Sequence, residues 1–259
     1  MKVKLKLLIP PALGRNRASA RAELLGSELG RWLDREVTVE IARDYDELER
    51  QVLGGTTDLA WAPPSLCARL SGQHHGIFKA VRNGRSTYRS AILARTGEAR
   101  DLESLRGKRA IWVDPLSTGG YLLPDAYLRS SGIDPESFFA EESFAGSYQA
   151  ALLAVADGKA DVTAVHVHTD RGADLHDSIA QHAERAVPRL SVVAVTGEVG
   201  ADGLVVCSGL PLAEATEIVK KIEAMQDLPG GPPLIVSIFD AEALELAKAG
   251  AYRALLTRR

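Results

Sequence analysis

Apolar positions along the chain switch between two periods. KVKLKLLIP, EVTVEIA and DLAWAPP alternate or run apolar over short lengths, as strands do. Between them, Ala18 to Trp32 and DYDELERQVLGG carry apolar residues three and four apart, as one-sided helices do. The alternation resumes after Tyr88 with RSAILAR, DLESLRGK, RAIWVD, a helix from about Gly120 to Ser130, ESFAG, a helix over YQAALLAVADG, and DVTAVHV. Strands separated by helices predict an α/β fold with a largely parallel sheet. The tail predicts two further strands, RLSVVAVTGEV and LVVCSG, and two helices, PLAEATEIVKKIEAMQ and DAEALELAKAGAYRALL, separated by the turn LPGGPP.

The second half of the pattern repeats the first. LGGTTDLAWA (Leu53 to Ala62) and ADGKADVTAV (Ala156 to Val165) each hold a helix-ending glycine, an aspartate three steps on, and an apolar strand. Gly55 and Gly158 are expected to be left-handed caps, with Asp58 and Asp161 opening the next strand. Isolated, such a match is only how helix-to-strand turns look; here each copy follows a helix that starts at a polar turn, DYDEL or GSYQA, which favours two related lobes. The chain would leave the first lobe near residue 90 and return near residue 190. That places residues 1–88 and 195–259 in one lobe and 89–194 in the other, with crossings near Ser90 to Ala94 and Leu190 to Ala194 acting as a hinge.

With 259 residues, 46% of them hydrophobic, the chain can bury a sizeable core. A net charge of -3 without a long basic run argues against nucleic acid or anionic lipid as a partner. No segment approaches the roughly 20 apolar residues needed to span a bilayer. Leu7-Leu8-Ile9 is cut short by Pro10-Pro11, too brief for a signal-peptide core, so the expected location is cytoplasmic as the sequence stands, or extracytoplasmic if an export segment has been removed. Cys67 and Cys207 fall in no CxxC or finger spacing and are expected to be buried reduced thiols.

Candidate chemistry concentrates in WVDPLSTGGYLLP, residues 112–124. A strand ending at Asp114-Pro115 and a helix starting near Gly120 put the amides of Ser117 to Gly120 at a helix N-terminus, where unpaired N–H groups and the helix dipole favour an anion. Ser117 and Thr118 add hydroxyls, and Gly119 and Gly120 allow close approach. No GK[ST] or GxGxxG is present, and neutral donors suit binding and release better than phosphoryl transfer. The plain alternative is a helix cap in which Ser or Thr satisfies its own amides.

His166 and His168 share one face of a strand but lack a third recognisable ligand, so no metal and no cofactor are expected. Asp170, His176 and His182 are read as a solvated polar stretch and His74-His75 as a loop. His166 remains a possible donor to an anion. No GxSxG, Cys-His or Ser-x-x-Lys set points to catalysis.

DPLSTGGYLLP, preceded by YRSAILAR and DLESLRGKRAIWVD and followed by SFAGSYQAALLAVADGKADVTAV, resembles the phosphate/phosphite/phosphonate-binding proteins of ABC transporters. DYDELERQVLGGTTDLAWAPPSL and GLPLAEATEIVKKIEAM are similar too, so the resemblance runs through almost the whole chain in order. It implies a two-lobed type II periplasmic-binding-protein fold with a ligand cleft between the lobes. It also implies a monomeric receptor for a small anionic ligand, with a transporter permease as partner. The implied contacts are Tyr45, Ser65, Tyr88, Ser117, Thr118, Gly119, Gly120, Ser147, Tyr148 and His166; Tyr45 and Tyr88 stand where the family places aromatics, with plain packing as their alternative. Three departures stand out: Gly119 replaces a third hydroxyl residue, Tyr148 a histidine, and Ala164-Val165-His166 the segment that carries an aspartate in aminophosphonate binders. The leading reading is a solute-binding protein for an oxyanion or organophosphonate-like ligand. A cytosolic sensing subunit and a biosynthetic enzyme built on the same fold follow in that order.

Overall fold

A computed structural model describes residues 4–11, 15–70, 72–169, 172–248 and 250–252, without the side chains of 15–21. The chain divides into two compact units, one holding the described residues up to Thr87 and from Gly200 onward, the other holding Tyr88–Val199.

The first unit begins with β1 (Lys4–Ile9), α1 (Arg15–Leu33), β2 (Glu36–Ile41), α2 (Tyr45–Leu53), β3 (Leu59–Ala62), α3 (Pro64–Leu70) and β4 (His74–Val81). The second contains β5 (Thr87–Arg95), β6 (Arg109–Trp112), α4 (Leu123–Ser130), α5 (Pro135–Phe138), β7 (Glu141–Phe144), α6 (Tyr148–Ala156), β8 (Val162–Val167), α7 (Gly172–Ala183), β9 (Leu190–Val195) and β10 (Val199–Gly200). The chain then completes the first unit with β11 (Gly203–Cys207), α8 (Leu212–Glu223), α9 (Gly231–Phe239) and β12 (Ala243–Leu246).

Each unit is built on one six-stranded sheet. In the first, β1 lies parallel to β2 and β3, while β11 runs antiparallel to β3 and β4, and β12 antiparallel to β4. In the second, β6 lies parallel to β7 and β8, and β5 runs antiparallel to β8 and β9. The expected largely parallel sheet is therefore corrected to two mixed sheets, each with a parallel trio. An apolar run such as that of β5 or β11 signals burial on both faces; its direction is fixed by the connection that delivers it, which periodicity does not encode.

The tail needs a second correction. Gly230, at φ +86, ends the preceding turn, and α9 starts inside the predicted LPGGPP turn with its prolines in the first helical turn, where their missing N–H costs no hydrogen bond. The segment read as a helix from Asp240 forms β12 instead, pairing Ala243 with Val81 through Leu246 with Phe78. Edge pairing with β4 overrides the helix propensity of ALEL. Residues 249 and 253–256 of that predicted helix lie outside the described residues. Likewise DLESLRGK holds only one tight turn, Glu103–Leu105, and His74-His75 opens β4 rather than a loop.

The core of the second unit packs Trp112, Leu128, Phe138, Phe139 and Ile92 together. Burying such side chains stabilises by about 1.5–3 kcal/mol each. The Trp112 indole N–H donates to Glu142 at 2.7 Å, so its one polar atom is satisfied. Cys67 and Cys207 are free and buried, as expected. Burial pushes the Cys207 thiol up to about 12 and the Cys67 thiol up as well, so both stay protonated at neutral pH.

Candidate functional site

The WVDPLSTGGYLLP segment folds as a turn that feeds a helix. Asp114 organises the turn: its carboxylate accepts from the Leu116 amide at 2.8 Å and its carbonyl from the Ser117 amide at 3.0 Å. Ser117 is the N-cap, its Oγ accepting from the Gly120 amide at 3.3 Å. The Ser117 carbonyl accepts from both Tyr121 and Leu122, each at 3.0 Å. The second of these bonds spans five residues, so the helix opens with a π turn over Thr118–Leu122 before α4 begins. The helix thus starts about two residues earlier than its spacing predicted, and π turns are often found at functional positions. Ser117 and Thr118 are each 1% exposed.

The two glycines answer different steric demands, neither requiring a positive φ. A Cβ at Gly120 would lie 2.4 Å from Val113 Cγ2, so the helix start could not seat against β6 with any side chain there. A Cβ at Gly119 would lie 2.8 Å from Tyr148 Oη, 3.1 Å from His166 Cβ and 3.3 Å from Tyr88 Cε2. The Gly119 carbonyl is held from β5, where the buried Ser90 Oγ donates to it at 2.5 Å and the Ser90 amide donates to Thr196 Oγ1 at 2.9 Å. Sequence reading missed Ser90 and Thr196. The available signal was a serine inside the buried run RSAILAR, where an unpaired hydroxyl would be costly.

A second helix starts beside the first. Ala145 and Gly146 donate to Trp112 and Val113, each at 2.8 Å, which continues the parallel register of β7 on β6 past both strand ends. Gly146, at φ +77, then turns the chain, and Ser147 caps α6 by accepting from the Ala150 amide at 3.2 Å. Both helix starts therefore lie at the carboxyl edge of one parallel strand pair, the edge at which α/β sheets hold ligands.

Rings close around Gly119. The Tyr148 ring stacks on His182 with centroids 4.7 Å apart and meets His166 edge-on at 5.3 Å. His166 in turn lies 5.3 Å from His182, 5.8 Å from His168 and 6.2 Å from Tyr88. His182 is buried, which corrects its reading as solvated: α7 places it on the same face as the buried Ser178 and Ile179, one turn back. His176 is exposed, and Asp170 lies outside the described residues. Among the described residues, no group of three or more histidine, cysteine or acidic side chains is placed to hold a metal ion.

The structure thus brings Tyr88, Ser117, Thr118, Gly119, Gly120, Tyr148 and His166 into one neighbourhood of the second unit, with Ser147 at the base of α6. Tyr45 and Ser65 belong to the first unit, Tyr45 as the buried first residue of α2 behind its cap Asp44, and Ser65 half-buried in α3. The gathered groups are hydroxyls, phenols, imidazoles and helix-start amides. Such a set can satisfy the several acceptor lone pairs of an oxyanion.

Two mixed sheets, each centred on a parallel trio, belong to the type II periplasmic-binding-protein fold. A binding-protein component of an ABC phosphonate transporter from Pseudomonas aeruginosa has this fold at TM-score 0.83, with 17% identity over 99% of this chain and 86% of that one. PhnD1 from Prochlorococcus marinus, solved with methylphosphonate, has it at TM-score 0.81, with 19% identity over 98% and 96% of the two chains. Over residues 7–249 the chain matches the family described as ABC transporter, phosphonate, periplasmic substrate-binding protein, and it belongs to that family. The phosphate-import protein PhnD of Mycolicibacterium smegmatis is 32% identical over 133 residues, which cover 46% of this chain and 41% of that protein. The match therefore spans less than half of that relative's length. No helix among the described residues is long and apolar enough to cross a membrane.

Proposed function

We propose that this chain is the substrate-binding subunit of an ABC importer, that it captures a small phosphorus oxyanion outside the cytoplasm, and that it hands the ligand to a permease without altering it. Phosphate and short alkylphosphonates are the candidate ligands, in keeping with the phosphate-import relative and the methylphosphonate-bound neighbour. The observation that carries the reading is the buried Ser117-Thr118-Gly119-Gly120 turn at a helix start, with Tyr88, Tyr148 and His166 around Gly119. Helix-start amides and neutral hydroxyls bind an anion without the fixed cations that phosphoryl transfer demands, which favours capture over catalysis. In this reading Ser117, Thr118, Gly119 and Gly120 hold the oxyanion, and Tyr88, Tyr148 and His166 border it, with Ser147 at the base of α6 beside them.

Calorimetry with phosphate, phosphite, methylphosphonate and sulfate tests the reading. Thr118→Ala is expected to weaken binding of the best ligand about ten- to a hundredfold, the loss of a charge-assisted hydrogen bond worth roughly 1.5–3 kcal/mol. The stability of the ligand-free protein should fall less. Unchanged affinity with reduced stability would leave the turn as a helix cap and nothing more.

A further inference from the structure

We infer that Gly119 and Tyr148 act as one unit: the missing side chain at 119 admits the Tyr148 phenol, which becomes the third side-chain hydroxyl, after Ser117 and Thr118, offered to the oxyanion. The inference rests on the anion-turn reading and specifies the donor that completes it.

Position carries the argument. Tyr148 Oη lies 2.8 Å from where a Cβ at 119 would sit, so the phenol oxygen borders the space that a side chain on the turn would enter and is compatible only with its absence. His166 Cβ and Tyr88 Cε2 wall the same spot at 3.1 and 3.3 Å, leaving no room for a residue at 119 beside the phenol.

Rigidity adds to it. The Tyr148 ring stacks on His182 and meets His166 edge-on, and the residue is only 6% exposed. A buried tyrosine with two side-chain torsions, wedged between two imidazoles, delivers its O–H with little ordering cost on binding. Its helix is anchored through the Ser147 cap and the continued β7–β6 register, so the hydroxyl reaches the turn from a separate rigid element. The donor contributed at this corner is therefore phenolic and borne on α6, and residue 119 must stay without a side chain for as long as residue 148 is tyrosine.

The hydroxyl can be moved to test this. Calorimetry with phosphate and with methylphosphonate compares the wild type, Tyr148→Phe, Gly119→Ser, and the double variant Gly119→Ser/Tyr148→Phe, with thermal melts alongside. Tyr148→Phe keeps the ring stack and removes only the donor; affinity is expected to fall about tenfold with little change in melting temperature. Gly119→Ser should weaken binding as well, because its Cβ displaces the phenol. The double variant, with the hydroxyl now on the turn, should bind better than either single variant. Wild-type affinity in Tyr148→Phe, or a double variant no tighter than Gly119→Ser alone, overturns the inference. If the serine variants do not fold, Tyr148→Phe alone decides it. Failure of the parent reading shows elsewhere, as unchanged affinity in Thr118→Ala.

Discussion

The two helix-to-strand turns at Gly55–Asp58 and Gly158–Asp161 perform the same task with different side-chain chemistry. Gly55 and Gly158 are both left-handed, at φ +64 and +78. In the first unit the Asp58 amide donates to the Lys6 carbonyl at 3.1 Å, and the Asp58 carboxylate accepts from the Lys6 amide at 2.7 Å. In the second, Asp161 makes the same exchange with Arg109, at 2.9 and 3.0 Å. Both aspartates thus extend a parallel pairing by one rung, β3 on β1 and β8 on β6. The cation is what differs. Lys6 sends its ammonium to Gln51 at 2.9 Å, whereas the Arg109 guanidinium turns onto Asp161 with two bonds of 3.0 Å, and Arg95 lies 3.5 Å away. The backbone exchange is the shared scaffold, and the charge pairing is an addition to one copy.

The largest effect expected from breaking this comparison comes from removing each carboxylate. Asp161→Ala strands a strand amide and removes the carboxylate that Arg109 and Arg95 share, and should cost about 2–4 kcal/mol, against about 1–3 kcal/mol for Asp58→Ala, which strands the amide alone. Urea melts of the two variants measure the difference. Equal losses would mean that the guanidinium contacts on Asp161 contribute nothing beyond the backbone role.

These turns were legible in the sequence because glycine and aspartate there serve local backbone geometry. The Ser117–Gly120 turn was legible for the same reason: strand end, hydroxyls, glycines and helix start are contiguous. What surrounds Gly119 was harder to see, since Tyr148, His166 and Ser90 reach it from α6, β8 and β5, and only the assembled sheet brings them together. His182 was misread because its position on one face of α7 matters more than the polarity of its neighbours. β12 was misread because a local helix preference in ALEL gave way to a free edge on β4.

A subtler way to sharpen the comparison is pH. The hydrogen bonds and charge of Arg109 hold the Asp161 carboxyl at about 2, well below its ordinary value, with burial opposing them. A carboxyl lowered on folding contributes stability that is complete above its unfolded value near 3.8 and is lost as pH falls towards about 2. The exposed side of Arg109 is screened by water, so the contribution is on the order of 1–2 kcal/mol. Asp161→Asn keeps an acceptor for the strand amide and removes the charge. Its deficit against the wild type should be constant from neutral pH down to about pH 5 and shrink between about pH 4 and pH 2. A deficit that does not change over that window would assign the stabilisation to hydrogen-bond geometry rather than charge.

The smallest effect concerns the two glycines. Placing alanine in a left-handed conformation costs roughly 1 kcal/mol whichever copy is changed, so the backbone term should be common to Gly55→Ala and Gly158→Ala. The surroundings then separate them by a few tenths of a kcal/mol or more. A Cβ at 55 would meet only Gly209, at 3.6 Å, an ordinary contact. A Cβ at 158 would come within 3.1 Å of Arg95 Nη1, which donates to the carbonyls of Val155 and Ala160 and also lies beside Asp161. Gly158→Ala should therefore be the more costly substitution, and the excess should vanish in an Arg95→Ala background, where nothing remains to be displaced. Denaturant melts of the four proteins complete that cycle. An excess that survives the loss of Arg95 would place the difference in the backbone of the turn itself.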